Sequence, residues 1–436
     1  MSDKRSGGVL RRLARMTANL VYRDIDVHVA SGPAAGRPIL AVANHFGGLA
    51  DGVLLVDSSP RMPRVVARDV IWKVSLIGRL ATAAGMIPVH RAADGGARAT
   101  NDQMFAAAYD SLREGEVILI FPEGVTQDVP HMAEVKTGAA RIALGARESG
   151  VEGILIQPVG VHYEDKAGFR SRALVNLGPM IDLDAWVAER AQPVVGGADD
   201  RAAVADLTAL VNTRLRHVAP DYPDWDQAHA LETVAEVLLT DVDVAAPPPL
   251  QYGDVALVGS RLNRVAEPER GQLVTLGAAY RQALRASHTS DHAVATATAP
   301  VRSWGWVLDL VLAVLLLPFA LVGLVAAAIP LLLVLVASRL RIAPAVRATV
   351  VPGLAMLLFL GEWVLFAVQT GQDGDLEVGL AAAVLFPFLV AALFFVVERI
   401  AILWQRWRRR RQPDSHELPA LQALRAEVAE KGWAAL

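Results

Sequence analysis

Arg37-Pro38-Ile39-Leu40-Ala41-Val42-Ala43-Asn44-His45-Phe46-Gly47-Gly48-Leu49-Ala50-Asp51-Gly52-Val53-Leu54-Leu55-Val56 passes from a strand, through a turn, into a helix. Ile39 to Ala43 is a continuous apolar run, the pattern of a strand buried on both faces. The Gly47-Gly48 pair permits a tight turn, and Gly52 to Val56 begins a helix. The pattern continues outward. Pro63 to Ala67 reads as a second strand, Ile71 to Ala84 as helix, and Met86 to Val89 as a short strand. Thr100 to Arg113 reads as an amphipathic helix, Glu116 to Phe121 as an apolar strand, Thr137 to Glu148 as helix and Gly153 to Gly160 as another strand. Strands alternating with helices of this length predict an α/β domain with a largely parallel sheet, here over residues 24–185. In such sheets, sites lie at the carboxyl ends of the strands.

His45 follows a buried strand, so it emerges at that edge. Asp51 arrives six residues later at the start of a helix. Its carboxylate can hold one imidazole nitrogen and leave the other as a base facing a cleft, ready for a substrate hydroxyl. The bland alternative makes Asp51 a helix N-cap and His45 a satisfied polar residue at a strand end.

Composition narrows the classes. The 436 residues carry 42 basic and 45 acidic side chains, a net charge of −3, which argues against wholesale polyanion binding and against charge-driven disorder. No nucleic-acid partner is expected. The chain has no cysteine, which excludes disulfides, a thiol nucleophile, thiolate zinc and iron–sulfur clusters. No phosphate-binding Gly-x-x-x-x-Gly-Lys loop and no dinucleotide fingerprint occurs. His288 and His292 sit four apart in a polar stretch that reads as a linker, so no metal site is expected there.

The apolar excess, 53% of residues, is concentrated toward the carboxyl end. Leu310 to Ala337 has no charged or hydrogen-bonding side chain, Val350 to Val368 is broken only by Glu362, and Val378 to Val397 has no charge. About 20 helical residues span a bilayer, so the second and third runs match one pass each. The first would make a helix of about 42 Å, long for one pass and short for two. It contains Pro318, Gly323 and Pro330, so a helical hairpin or re-entrant segment is expected. The expected limits are about 304–337, 349–369 and 377–404 within a transmembrane region 301–411. Arg339, Arg341, Arg347 and the cluster Arg406 and Arg408–Arg411 flank these runs, whereas Asp373 and Asp375 lie between the last two. The positive-inside rule places the basic segments, the tail 412–436 and the domain at 24–185 in the cytoplasm. No signal peptide is expected. Residues 1–23 form a basic amphipathic helix, read either as a headgroup-binding element or as a helix packed on the next domain. Residues 186–300 read as a helical region ending in a linker, with no legible chemistry.

Beyond the Asn44-His45…Asp51 block, Gly85-Met86-Ile87-Pro88-Val89-His90-Arg91, Phe121-Pro122-Glu123-Gly124 and Gln157-Pro158-Val159-Gly160-Val161 follow in order. This set resembles the glycerol-phosphate acyltransferase superfamily, over roughly residues 35–180. The resemblance implies His45 as general base and Asp51 as its orienting partner. It implies Arg91 as the grip on an acceptor phosphate, with Asn44, Glu123 and Gly124 at the acceptor site and Pro158 lining the acyl site. Many lysophosphatidate-type members continue the third block with Thr-Arg-Ser, where this chain has Val125-Thr126-Gln127-Asp128. Arg68, Lys73 and Lys136 are candidate replacement cations. The segment Lys136 to Ala143 resembles the branch that acylates glycerol-3-phosphate or dihydroxyacetone phosphate. The implied activity is membrane-bound O-acyl transfer with acyl-CoA or acyl carrier protein as co-substrate, membrane lipids as partners and no cofactor. A non-phosphate lipid or sugar acceptor, and a non-enzymatic lipid-binding role, stay open, and nothing fixes the oligomeric state.

Overall fold

The computed structural model describes residues 3–32, 36–73, 75–90, 98–126, 129–166, 168–240, 250–297, 305–371, 376–411 and 417–436. Two compact units emerge: Met1–Asp224 with Ile342–Thr349, and Trp225–Arg341 with Val350–Leu436.

The first unit begins with helix α1 (Asp3–Val21) and strand β1 (Tyr22–Val29). There follow β2 (Ile39–Ala43), α2 (Leu49–Ser58), β3 (Pro63–Arg68), α3 (Ser75–Ala83), β4 (Ile87–Val89), α4 (Arg98–Arg113), β5 (Val117–Ile120) and α5 (Gly138–Glu148). Then come β6 (Leu155–Tyr163), β7 (Ser171–Leu177), β8 (Ile181–Asp182), α6 (Leu183–Ala188) and α7 (Arg201–Val218). The eight strands form one sheet in the order β1-β7-β6-β2-β5-β3-β4, with β8 also on β6. β2 lies between β5 and β6 and runs parallel to both, Leu40 pairing with Ile118 on one side and Ile156 on the other. Among the described residues only β6–β7 and β6–β8 are antiparallel. The sheet is therefore the largely parallel, helix-flanked one that the sequence predicts.

The central strands sit where they do because they offer nothing polar. Every residue of β2 and of β5 is buried, the mark of a strand covered on both faces. β6 contains Pro158, yet a proline removes a ladder donor. The strand tolerates it where its antiparallel partner changes, from β8 at Leu155–Ile156 to β7 at Val159–Tyr163. The Pro158 carbonyl still accepts from the Gly178 amide at 2.9 Å.

Two expectations about extent change. The catalytic domain was expected to end at 185, but α7 supplies Leu207, Val211 and Leu215 to the same core cluster as Leu40, Ile118 and Ile156, so the first unit runs on to Asp224. α1 packs on α2. Arg11 Nη2 donates to the carbonyls of Asp57, in the last turn of α2, and of Ser59, just past it, and Arg15 bonds the Asp57 carboxylate at 2.7 Å. Arg11 thus satisfies carbonyls at a helix C-terminus and Arg15 ties the same turn through a side chain, the packed-helix reading of this segment.

The second unit contains α8 (Trp225–Leu239), α9 (Tyr252–Leu262), α10 (Glu269–Ala286), α11 (Asp291–Ala295), α12 (Gly305–Ala326), α13 (Ala328–Ser338), most of α14 (Pro344–Thr370), α15 (Leu376–Arg411) and α16 (Leu418–Ala435). Among the described residues, three stretches are long and apolar enough to cross a membrane: Val307–Ala326, Val346–Thr370 and Glu377–Trp404. α12 and α15 lie antiparallel. Asp309 pairs with Arg399 at 3.0 Å, and fourteen residues further along α12 the backbone at Gly323 meets Leu389 so closely that a Cβ would fall 2.3 Å from the Leu389 carbonyl. The long first apolar run is not one helix. It breaks at Ala327, and Leu331 of α13 packs on Ala320, Leu393 and Val396, back toward the Arg399 end of α15.

The expected linker before the membrane region is partly core. Asp291, in α11, is buried and its carboxylate accepts from Arg425 Nε at 2.8 Å and from the Tyr280 hydroxyl at 2.8 Å. Arg425 Nη2 also donates to the Val237 and Thr240 carbonyls, at 3.1 and 3.2 Å. The tail helix α16 is thereby fastened to α8, α10 and α11.

Candidate active site

Parallel pairing of β2, β5 and the first half of β6 brings their carboxyl ends to one edge. His45 leaves β2 there, Phe121 and Glu123 leave β5, and Tyr163 ends β6. Asn44 makes the departure from β2 possible. Its Nδ2 donates to the Val161 carbonyl at 3.1 Å and its Oδ1 accepts from the Val161 amide at 2.7 Å. The side chain thus stands in for the ladder bonds β2 no longer makes, and the main chain is free to turn. Asn44 was expected to touch the acceptor; it is fully buried, with both ends of its amide committed to β6.

The turn uses its glycines for distinct reasons. Gly48 sits at φ 60°, ψ −120°, a conformation that strains any side chain. Gly47 has no room for one: a Cβ would lie 2.6 Å from the Tyr163 hydroxyl and 2.8 Å from Asp51 Oδ1. α2 then starts at Leu49, so Asp51 is its third residue and not its cap. Its Oδ2 accepts from His45 Nδ1 at 2.8 Å and from the Gly47 amide at 2.9 Å, and its Oδ1 accepts from the Tyr163 hydroxyl at 2.5 Å. The carboxylate is wholly buried, while the His45 side chain is 21% exposed. A carboxylate only accepts, so Nδ1 bears a proton, and in the neutral ring the lone pair is on Nε2. The imidazole is also held from one face: Phe121 stacks on it, ring centroids 4.1 Å apart and planes 23° off parallel.

Glu123 acts on the backbone. Oε1 accepts from the His45 amide at 2.9 Å and Oε2 from the Ala133 amide at 2.7 Å. It is buried, and burial raises its carboxyl above the usual range, against those two bonds and the His45 charge that pull it down. Expected as an acceptor-site residue, it is placed as a clamp between the His45 turn and the loop at 131–135. Gly124 takes φ 65° and donates its amide to the Phe121 carbonyl, closing the turn that aims Glu123 inward. Pro158 is buried inside the sheet. Arg68 and Lys73 lie at and after the end of β3, and Lys136 leads into α5; all three are exposed. Arg91 lies outside the described residues.

Tyr163 and Phe121 were not foreseen. Phe121 stood inside a quoted motif but nothing in its spacing said that it stacks on His45. Tyr163 is 112 residues from Asp51 and closes an apolar strand, with no local signal of a role. Burial, with the Asp51 charge adding to it, pushes its hydroxyl well above the ordinary tyrosine range, so it keeps its proton and donates.

An imidazole with a free Nε2, fixed by a buried carboxylate at the carboxyl edge of a parallel sheet, is the equipment of an enzyme that takes a proton from a hydroxyl. Residues 24–162 match the acyltransferase family. Glycerol-3-phosphate O-acyltransferase 2 of Saccharomyces cerevisiae is 30% identical over 150 residues, covering 34% of this chain and 19% of that protein. Glycerol-3-phosphate O-acyltransferase 1 of the same yeast is 27% identical over 195 residues, 44% of this chain and 25% of that protein. The matched region thus spans a quarter or less of the curated relatives. The solved 1-acyl-sn-glycerophosphate (LPA) acyltransferase PlsC of Thermotoga maritima aligns over 47% of this chain and 79% of its own, at 16% identity and a TM-score of 0.34. The similarity to acyltransferases, the two yeast glycerol-3-phosphate O-acyltransferases among them, thus lies in the first unit.

Proposed function

We propose that this chain is a membrane-bound O-acyltransferase that moves a fatty acyl group from an acyl thioester to a hydroxyl of glycerol-3-phosphate or dihydroxyacetone phosphate, in preference to lysophosphatidate. The observation that carries it is the His45–Asp51 pair, with Nε2 unbonded among the described residues. His45 Nε2 takes the acceptor's hydroxyl proton as that oxygen bonds to the thioester carbonyl carbon. The tetrahedral oxyanion collapses, the carbon–sulfur bond breaks, and the proton passes from the imidazolium to the departing thiolate of coenzyme A or acyl carrier protein. The new ester and the free thiol balance the step. With no cysteine and no Gly-x-Ser-x-Gly elbow, direct transfer is favoured over an acyl-enzyme. The Lys136–Ala143 segment supports the acceptor choice, as does Val125-Thr126-Gln127 where lysophosphatidate-type members continue Thr-Arg-Ser, so that the arginine is missing.

The same reading puts the catalytic unit in the cytoplasm. α16 and the 225–297 helices share the buried Arg425–Asp291–Tyr280 contact, so they lie on one side of any bilayer that the intervening helices enter. No apolar run lies between residues 24–224 and the 225–297 helices in the sequence, which supports the same side for both. Same-side ends require an even number of crossings. α13, of 11 residues, reaches only about 16 Å and turns back along α12. This supports α12–α13 as a re-entrant pair, with α14 and α15 as the full passes. Arg408–Arg411 then assign the shared side to the cytoplasm. The cysteine-free chain allows a direct check with single introduced cysteines and an impermeant maleimide on sealed, right-side-out vesicles. Asp373→Cys should label before lysis and Glu430→Cys only after; the reverse pattern overturns the orientation.

The acceptor assignment is tested with purified protein, labelled acyl-CoA and a panel of acceptors. Label should appear in a monoacylated glycerol phosphate or dihydroxyacetone phosphate product, and Arg91→Ala should raise the KM for the phosphate acceptor. Turnover only on a lipid or sugar alcohol, indifferent to Arg91→Ala, would overturn the acceptor. No product with any acceptor would leave the lipid-binding role.

A further inference from the structure

The buried Asp51 carboxylate receives three donors, and only one of them is far away in sequence. Oδ2 is shared between His45 Nδ1 and the Gly47 amide; Oδ1 has the Tyr163 hydroxyl alone among the described residues. A carboxylate held at one oxygen can rotate about its Cβ–Cγ bond and trade Oδ1 for Oδ2. Bonds at both oxygens stop that rotation. We propose that Tyr163 is a positioning residue of the acyl-transfer site, whose hydroxyl locks the Asp51 carboxylate and so sets the orientation and basicity of His45.

This rests on the acyltransferase reading, but the geometry itself does not. The hydroxyl and carboxylate meet in a crowded, buried space: Asp51 is wholly buried, and the backbone of Gly47 lies so close to both groups that even a methyl would strike them. Tyr163 is itself supported. It lies in the antiparallel ladder to β7 opposite Ala173, and its ring packs on that of Tyr22, centroids 5.7 Å apart. Strand β6 therefore delivers the hydroxyl on a rigid element, where a loop would leave it mobile. The polar groups facing this cluster are few. Glu123 approaches from the turn after β5, Tyr22 from the start of β1, and Asp165 and Lys166 from the turn after β6, with Lys166 Nζ 3.4 Å from the Phe46 carbonyl.

Donation from Tyr163 draws carboxylate charge toward Oδ1, away from the imidazole at Oδ2. Its loss strengthens the field on His45 and favours the imidazolium, while freeing the carboxylate to rotate. Tyr163→Phe keeps the ring and removes the donor. In that variant kcat should fall on the order of ten- to a hundred-fold, the equivalent of one hydrogen bond to a charged group. KM for both substrates should stay within about two-fold. The acid limb of kcat/KM should move to higher pH. Replacing Tyr163 by 3-fluorotyrosine keeps bulk and fold but makes a stronger donor, so the limb should move the other way.

Nitrogen NMR of selectively labelled histidine reads the His45 titration directly and needs no turnover. Opposite shifts of that titration in the two variants are the expected result. A His45 titration unmoved in both, or moved in the same direction in both, overturns the role of Tyr163. So does a loss confined to KM. If Tyr163→Phe fails to fold, the fluorotyrosine protein alone decides, by the presence or absence of the downward shift. If neither protein nor parent transfers acyl groups yet the titration shifts, the activity assignment fails and the positioning role stands.

Discussion

Two buried aspartates in this molecule share the same first partner and differ in the second. Asp51 takes a tyrosine hydroxyl and a histidine; Asp291 takes a tyrosine hydroxyl and an arginine. In both, burial is the leading cause that raises the tyrosine, so each tyrosine is a fixed donor. The second partner separates their work. A guanidinium keeps its charge throughout the physiological range and spends its other protons on the Val237 and Thr240 carbonyls, so the Asp291 cluster is a permanent fastener. An imidazole can gain and lose a proton, and His45 keeps one nitrogen turned to a partly open space. The same carboxylate–phenol unit therefore pins a helix in one region and holds an imidazole in the other.

The comparison breaks most sharply at His45. His45→Ala should lower acyl transfer by about three orders of magnitude or more, in the range of a lost general base, with an unchanged thermal midpoint. Measured kcat beside a calorimetric scan checks both halves, and near-normal transfer by a well-folded variant would end the base assignment. Arg425→Ala is the counterpart. Leaving Asp291 buried without its cation should cost the second unit about 3–5 kcal/mol, seen as a lower denaturation midpoint and early proteolysis within α16. The His45 titration should not move. Arg425→Met with Asp291→Leu should recover most of that stability, because a buried ion pair is often replaceable by apolar packing; failure to recover would mean that the pair does more than hold.

The smallest effect sharpens the contrast. Tyr280→Phe should cost about 1 kcal/mol of stability and leave kcat and its pH profile alone, whereas Tyr163→Phe moves both. A Tyr280→Phe protein with altered kcat would show that the two clusters are not separate.

Much of the sheet was legible because its central strands are unbroken apolar runs. Ile39 to Ala43 and Val117 to Ile120 have no polar side chain to place, so only a doubly covered strand suits them. β1 was missed. Its Tyr-Arg-Asp-Ile-Asp-Val-His-Val sequence is that of a largely exposed edge strand, and an edge leaves polar residues where a central strand cannot. The three membrane-length helices were legible for the reason that the core strands were. The break at Ala327 was anticipated from nearby prolines and glycine, though the residue itself carries no signal. The linker before the membrane was misjudged because Asp291 looks like any surface acid until Arg425, 134 residues away, is folded against it.

The His45–Asp51 pair divides the same way. The spacing of His45 and Asp51 was enough to bring them together, since a strand end, two glycines and the first turn of a helix leave the side chains few other places to go. Which oxygen of Asp51 faces the ring, what stops it from turning, and whether Asn44 and Glu123 face a ligand or the backbone are matters of contacts between strands. Local sequence dictates what a short segment does with its own hydrogen bonds and apolar faces. The partners that reach Asp51 from β6, and Asp291 from α16, come from segments more than a hundred residues distant, and only packing of the folded chain brings them within bonding range.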